Sequence, residues 1–281
     1  MSNKKKLLFF SVGAAIFLVL LLWTIRSNTA LELNRYAVSS EHLPEAFDGF
    51  RIAHVSDLHN AEIGPNNQKL LAILREAQPD MIAITGDLID SRNTNLETAL
   101  DFVQAAMEIA PCYYVTGNHE SRIPAYASLK EGLCKLGVLV LEDEKTQLER
   151  SGQSLTLLGI HDPAFAPAAV PEILTAAKLE NMTETDSGFA LLLSHRPELF
   201  DIYADAGIDL VLSGHAHGGQ FRLPLVGGLF APGQGFFPRY DSGIYTRGRT
   251  CMAVSRGIGN SIIPLRFNNP PEVILTELKR Q

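Results

Sequence analysis

Cysteine is scarce in this sequence. The three present, Cys112, Cys134 and Cys251, are scattered and form no CxxC pair. That sparse, odd set excludes a disulfide framework, and the three read as small core residues. An excess of positive charge is also missing: 24 lysines and arginines stand against 31 acidic residues, a formal net charge of −7. A protein that holds nucleic acid through its phosphates needs the opposite balance, so no nucleic-acid partner is expected. No internal repeat occurs, and the one biased stretch is glycine-rich, residues 214–235. What remains is 46% hydrophobic and 20% charged, the mix of a folded globular protein, and 281 residues suffice for a sizeable core.

One long hydrophobic run breaks this balance. Lys4, Lys5 and Lys6 precede residues 7–25, which carry no charge. As a helix those 19 residues would span about 28 Å, close to the hydrocarbon thickness of a bilayer. A signal peptide has a shorter apolar core, and the NTA triplet at 28–30 is a poor cleavage site. Trp23 stands where an interfacial aromatic residue belongs. Residues 1–26 are therefore predicted to be an uncleaved, single-pass membrane anchor. The lysine cluster places the N-terminus in the cytoplasm and the remainder outside, with Arg26 as the opposing charge. Residues 27–50 are polar and aperiodic and read as a linker; residues 51–281 read as the folded domain.

From Arg51 a rhythm begins. Short apolar runs end in clusters of Asp, His, Asn and Gly, at 51–57, 81–87, 113–118, 190–195 and 210–215. Such runs suit strands buried on both faces of a sheet. Helical patterns lie between them. One places Leu70, Leu71 and Leu74 on a stripe before Pro79; another, over residues 96–109, places Leu96, Leu100, Val103 and Met107 on one face. The alternation predicts an α/β sandwich, with function at the carboxyl ends of the strands.

The strand-end clusters are DLH at 57–59, GDLID at 86–90, GNHE at 117–120, SH at 194–195 and GHAH at 214–217. Each alone is weak, since DxH and HxH arise often by chance. Together, every one closing a predicted strand, they are a strong joint signal. Imidazole, carboxylate and amide oxygen without thiolate form a ligand set suited to Mn, Fe or Zn.

This ordered set, DxH, GDxxD, GNHE, a lone His and GHxH, resembles that of the calcineurin-like metallophosphoesterases, over roughly residue 51 to the C-terminus. Within that family, SHRPELFD, LVLSGHAHGGQ, APGQGFFPRY and PLRFNNPPEV resemble a branch of bacterial, membrane-anchored envelope phosphodiesterases. The resemblance implies a four-layer αββα sandwich with two divalent or trivalent metal ions between the strand ends. It assigns Asp57, His59 and His217 to one metal, Asn118, His195 and His215 to the other, and Asp87 as the bridge. His119 is left without a metal and becomes the candidate proton donor for a leaving alkoxide. Asp90 becomes either its orienting partner or a helix N-cap.

Weaker signals have structural readings. His54 faces away from Asp57 inside the first strand; His161 and Asp162 read as a turn; His42 belongs to the linker; Glu120 reads as a loop anchor. Residues 218–240 follow the last ligand, and Gln220, Arg222, Phe236, Phe237 and Arg239 either bind substrate there or pack as an ordinary loop. Three functions share such a core. The anchor favours a phosphodiesterase or pyrophosphatase acting on an envelope or lipid-linked phosphoester. A protein phosphatase or nucleotidase is the alternative, although Ser91 and Arg92 match the protein phosphatases' Arg after GDxxD only loosely. A non-catalytic, membrane-anchored interaction domain would show eroded ligands, and none is eroded.

Overall fold

The structure is a computed structural model and describes residues 3–183, 188–260 and 263–281. The apolar run forms α1 (Asn3–Thr29), followed almost at once by β1 (Glu32–Ser40). Then come β2 (Arg51–Val55), α2 (Gln68–Ala77), β3 (Met81–Thr85), α3 (Leu96–Met107), β4 (Cys112–Val115), α4 (Tyr126–Lys135) and β5 (Leu139–Val140). The second half runs β6 (Glu144–Arg150), β7 (Gln153–Gly159), α5 (Pro171–Thr183), β8 (Ala190–Leu193), α6 (Phe200–Asp205) and β9 (Leu210–Ser213). Four short strands follow as two small hairpins, β10 (Arg222–Leu223) with β11 (Gly227–Gly228) and β12 (Phe230–Ala231) with β13 (Gly235–Phe236). The chain closes with β14 (Gly243–Arg247), β15 (Thr250–Val254) and β16 (Glu272–Arg280).

Two six-stranded sheets form, ordered β1-β16-β2-β3-β4-β5 and β14-β15-β9-β8-β7-β6. Strands β2 to β5 run parallel, as do β7, β8, β9 and β15. Side chains of β2 alternate between two cores. Ala53 and Val55 join the layer under α2, α3 and α4, while Ile52 packs inward with Leu191, Leu193, Leu210 and Leu212 of the other sheet. The second sheet's outer face, with Leu192 and Val211, is covered by Leu179 of α5 and by Phe200 and Tyr203 of α6. Both faces of both sheets are therefore apolar, which is why these strands read as continuous hydrophobic runs. The outcome is the four-layer αββα sandwich.

Two local expectations are corrected. Leu71 and Leu74 of α2 are buried as expected, but α3 buries Ala99, Phe102, Val103 and Ala106, with Leu96, Leu100 and Met107 only partly covered. Its buried stripe is rotated because the small alanines allow close approach to the sheet. Residues 27–50 are not a free linker. They hold the end of α1 and all of β1, which pairs in parallel with β16 from Glu32↔Glu272 to Ser40↔Arg280. β1 is an edge strand whose one buried hydrophobic residue is Val38, so it has no apolar alternation to read. The junction is clamped as well: Arg26 pairs with Glu32 at 3.0 Å, and Arg256 holds Glu32 and Glu272 at 3.0 and 2.9 Å.

Candidate metal centre

Each cluster sits just beyond the carboxyl end of a parallel strand. Asp57 and His59 follow β2, Asp87 follows β3, Asn118 follows β4, His195 follows β8, and His215 and His217 follow β9. To leave its strand so sharply the backbone enters the left-handed region at Asp57, His59, Asp87, His215 and His217, with φ between 48 and 65°. Such φ values are costly for residues with a Cβ and concentrate at sites whose surroundings enforce them. Gly86 (φ +82) turns the β3 end, and a Cβ there would strike the Gly117 backbone and the His195 ring.

Each aspartate is anchored by a backbone N–H and turns one oxygen toward the rings; at Asp57 the His215 N–H reaches Oδ1 as well, at 3.2 Å. Asp57 Oδ2 accepts from Ser56 Oγ (2.7 Å) and from the His215 N–H (3.0 Å), while Oδ1 lies 3.2 Å from His217 Nε2 and 3.9 Å from His59 Nε2 and from His195 Nε2. Asp87 Oδ1 accepts from the His119 N–H (2.8 Å), leaving Oδ2 at 3.6 Å from His59 Nε2 and 3.3 Å from His195 Nε2. The rings meet in two pairs: His59 Nε2 to His217 Nε2 is 3.1 Å, and His195 Nε2 to His215 Nδ1 is 3.1 Å. Two nitrogens each about 2.1 Å from one cation lie about 3–3.4 Å apart, so these spacings suit shared ions.

The donor set fits metal in other ways. Asp57, His59 and His217 form one compact group and Asp87, His195 and His215 a second, all buried. Asn118 Oδ1 is buried without a hydrogen-bond partner, as are the Nδ1 atoms of His59 and His217. A buried unpaired amide oxygen is costly unless something accepts its lone pairs. The pocket also draws positive charge. Burial opposes a charged ring at His195, yet Asp87 and Asp57 hold its pKa up to about 10. At His59 burial, aided by the neighbouring His217 and His119 rings, outweighs Asp87 and Asp57, and the pKa falls to about 3.

Supporting residues behave largely as their types suggest. Glu120 is fully buried and accepts from the N–H groups of Asp87 (3.0 Å), Leu88 (2.9 Å) and Gly117 (2.7 Å), pinning two ligand loops together. Burial, with Asp87 beside it, pushes its carboxyl up to about 7. Glu120→Ala strands these buried donors together with the Ile89 N–H at 3.4 Å, which should cost about 3 kcal/mol or more. Thermal unfolding in detergent should then fall by roughly 6–12 °C; an unchanged midpoint would remove the anchoring role. His54 is buried against Thr85 Oγ1 at 2.7 Å, a structural histidine.

His119 lies at the rim with its Nε2 4.0 Å from Asp87 Oδ2. Its Nδ1 accepts from the Ser91 N–H at 3.0 Å, and Asp90 Oδ1 is 3.7 Å away. The Asp90 carboxylate is instead engaged by Arg92, at 2.6 and 3.0 Å through the guanidinium and 2.8 Å through the backbone. Nor is Asp90 a helix cap, since Asn95 caps α3.

A cavity of about 240 Å³ opens over the centre, lined by Asp87, Asn118, His119, His215, His217, Arg122, Arg196, Pro232 and Gly233. A larger groove of about 660 Å³ between α2 and α3 contains none of these ligands. The two pocket arginines escaped sequence reasoning, which named Arg222 and Arg239 as either substrate-binding or loop-packing residues. Those face acids elsewhere: Arg222 meets Asp241 at 3.0 Å and Arg239 meets Asp201 at 3.4 Å. Arg196 is aimed by Asp162, at 2.7 and 2.9 Å, and its Nη1 lies 2.9 Å from His215 Nε2. Its adjacency to His195 was the available signal. Asp162, read as a turn residue, both caps its turn and holds this arginine.

The chain is similar to known proteins over most of its length. The profile of the calcineurin-like phosphoesterases matches residues 50–219. The phosphodiesterase YaeI of Escherichia coli is 31% identical over 82% of this chain and 82% of its own length. An uncharacterized metallophosphoesterase of Bacillus subtilis, YkuE, is 29% identical over 89% of this chain and 86% of its own. A zebrafish transmembrane protein with a metallophosphoesterase domain is 30% identical over 85% of this chain and 55% of its own. Among solved structures, TT1561 of Thermus thermophilus superposes with a TM-score of 0.51 at 13% identity, over 74% of this chain and 89% of that one, a likeness of fold. Profile, relatives and the histidine–aspartate groups at the strand ends agree: the chain belongs to the calcineurin-like phosphoesterase family, metal-dependent hydrolases of phosphoesters.

Proposed function

We propose that this chain is a membrane-anchored phosphodiesterase or pyrophosphatase that works with two metal ions on a cell-envelope or lipid-linked phosphoester. The observation that carries the reading is Asp87. Its free Oδ2 stands 3.6 Å from His59 and 3.3 Å from His195, between the two ligand groups. One ion would be held by Asp57, His59 and His217, the other by Asn118, His195 and His215, with Asp87 touching both. Mn, Fe or Zn suits these donors. Two such ions supply charge neutralisation at the phosphoryl oxygens and bring the pKa of water toward about 7.

The chain's own residues do the rest. Arg122 and Arg196 flank the cavity and can hold phosphoryl oxygens. The Ser91 N–H at Nδ1 keeps the neutral His119 ring with its proton on Nε2, turned to the cavity. When the ring is protonated it needs an acceptor at Nδ1, and Asp90 at 3.7 Å supplies it, so Asp90 orients the acid that serves the leaving oxygen.

α1 supports the anchor: its apolar side chains from Phe9 to Ile25 are solvent-exposed in the isolated chain, and one helix of this length and hydropathy suffices to cross a bilayer. Lys4, Lys5 and Lys6 support a topology with the catalytic domain outside the cytoplasm. Protease added to wall-stripped cells should therefore digest the domain; protection until permeabilisation would invert the topology. The activity itself is tested by assaying the metal-loaded full chain against phosphomonoesters, phosphodiesters and pyrophosphate-linked lipids. Turnover confined to monoesters would favour the phosphatase or nucleotidase alternative.

A further inference from the structure

The excursion between β9 and β14 adds no strand to either main sheet, yet it displays apolar side chains. Leu225 is fully exposed, Phe236 is 72% exposed, and Phe237 is 61% exposed. Ile263 and Leu265 lie beside it, since Gln220 Nε2 donates to both their carbonyls at 2.8 Å. Large apolar side chains exposed on one excursion mark a contact surface.

Two observations identify what covers it. The first is its position against α1. Asn28 bonds both the N–H and the C=O of Arg266, at 2.9 and 2.8 Å, and the Trp23 ring lies 5.5 Å from Phe267. Phe267 in turn bridges Phe221 at the root of the excursion. Trp23 precedes the end of α1 by six residues, about 9 Å along the helix axis. The domain thus reaches back beside the last turns of the apolar helix, to the depth of its interfacial tryptophan. The second is continuity with the cavity. Pro232 and Gly233 line it, and they join β12 to β13, whose Phe230 and Phe236 stack edge to face at 5.4 Å.

We infer that this patch sits in the interfacial layer of the lipid bilayer as a second membrane contact beside α1, turning the metal cavity toward the headgroups. The substrate is then a phosphoester whose acyl chain stays in the membrane while its phosphate enters the cavity. This rests on the anchored phosphoesterase reading and extends it to the mode of substrate access.

The test uses the full chain in phosphatidylcholine–phosphatidylglycerol vesicles with brominated acyl chains. Trp23 is the sole tryptophan, so Trp23→Phe provides a dark background for Leu225→Trp, Phe237→Trp and, on the exposed face of α5, Ile173→Trp. Emission from positions 225 and 237 should drop at least about twofold as bromine is introduced, with position 173 unaffected. Equal behaviour at all three positions, or shielding of 225 without bromine quenching as a protein partner would give, overturns the contact. A second arm compares hexadecyl with methyl p-nitrophenyl phosphate, which share a leaving group. The double variant Leu225→Glu, Phe237→Glu should lose roughly tenfold on the hexadecyl ester alone, and equal losses on both esters count against the inference. Wild-type inactivity on both esters would instead refute the phosphoesterase reading, while quenching still decides the contact.

Discussion

Asp87→Asn is expected to reduce phosphodiester turnover by roughly 10³-fold or more, equivalent to about 4 kcal/mol of lost transition-state stabilisation. Asp87 Oδ1 is fixed by the His119 N–H at 2.8 Å, so Oδ2 is the atom that faces both ligand groups. An amide keeps the shape but loses the charge, and its NH2 end cannot serve a cation. Bound metal should fall below two equivalents per chain. The fold should persist, because the two sheets pack through Ile52, Met81, Leu191 and Leu210 rather than through this carboxylate. A variant with two metals and full turnover would sink the assignment; loss of folding would leave the wild-type stoichiometry to decide it.

His119→Ala tests proton transfer separately from metal binding. Its ring points to the cavity while its backbone, which survives the substitution, holds Asp87. Metal content should stay near that of the wild type. Turnover of an alkyl phosphodiester should fall by roughly 10²-fold or more, the ordinary worth of a positioned general acid. With an aryl ester, whose phenolate leaves without help, the loss should shrink markedly. Asp90→Asn should show the same pattern more mildly, since Asp90 reaches the ring only at 3.7 Å and is shared with Arg92. Equal losses on both leaving groups would mean that His119 stabilises phosphoryl charge instead. Lost metal would make it a ligand, a possibility the closeness of His59, Asp90 and His119 raises.

The convergence of the candidate ligands was legible because each stands at the end of a strand buried on both faces, where apolar runs stop abruptly at Asp, His or Asn. The alternation of apolar strands and amphipathic helices made the α/β sandwich legible too, while the four layers followed from the family resemblance. What escaped shares a cause: it depends on partners distant in sequence. β1 is a strand only because β16, more than 230 residues later, pairs with it from Glu32 to Ser40. Arg196 and Arg222 look alike in the sequence, yet Asp162 aims one at the cavity while Asp241 engages the other at 3.0 Å. Ser91 serves His119 through its backbone N–H, a contact any residue but proline can make and no pattern reveals.

Mn(II) loading of the chelator-stripped chain, followed by metal counting and electron paramagnetic resonance, tests the two-ion centre most directly. Ions bridged by Asp87 would lie about 3.5–4 Å apart, close enough for their spins to couple. The account predicts two equivalents per chain and a spin-coupled spectrum that Asp87→Asn abolishes. One equivalent, or the six-line spectrum of isolated Mn(II) in the fully loaded wild type, would contradict it.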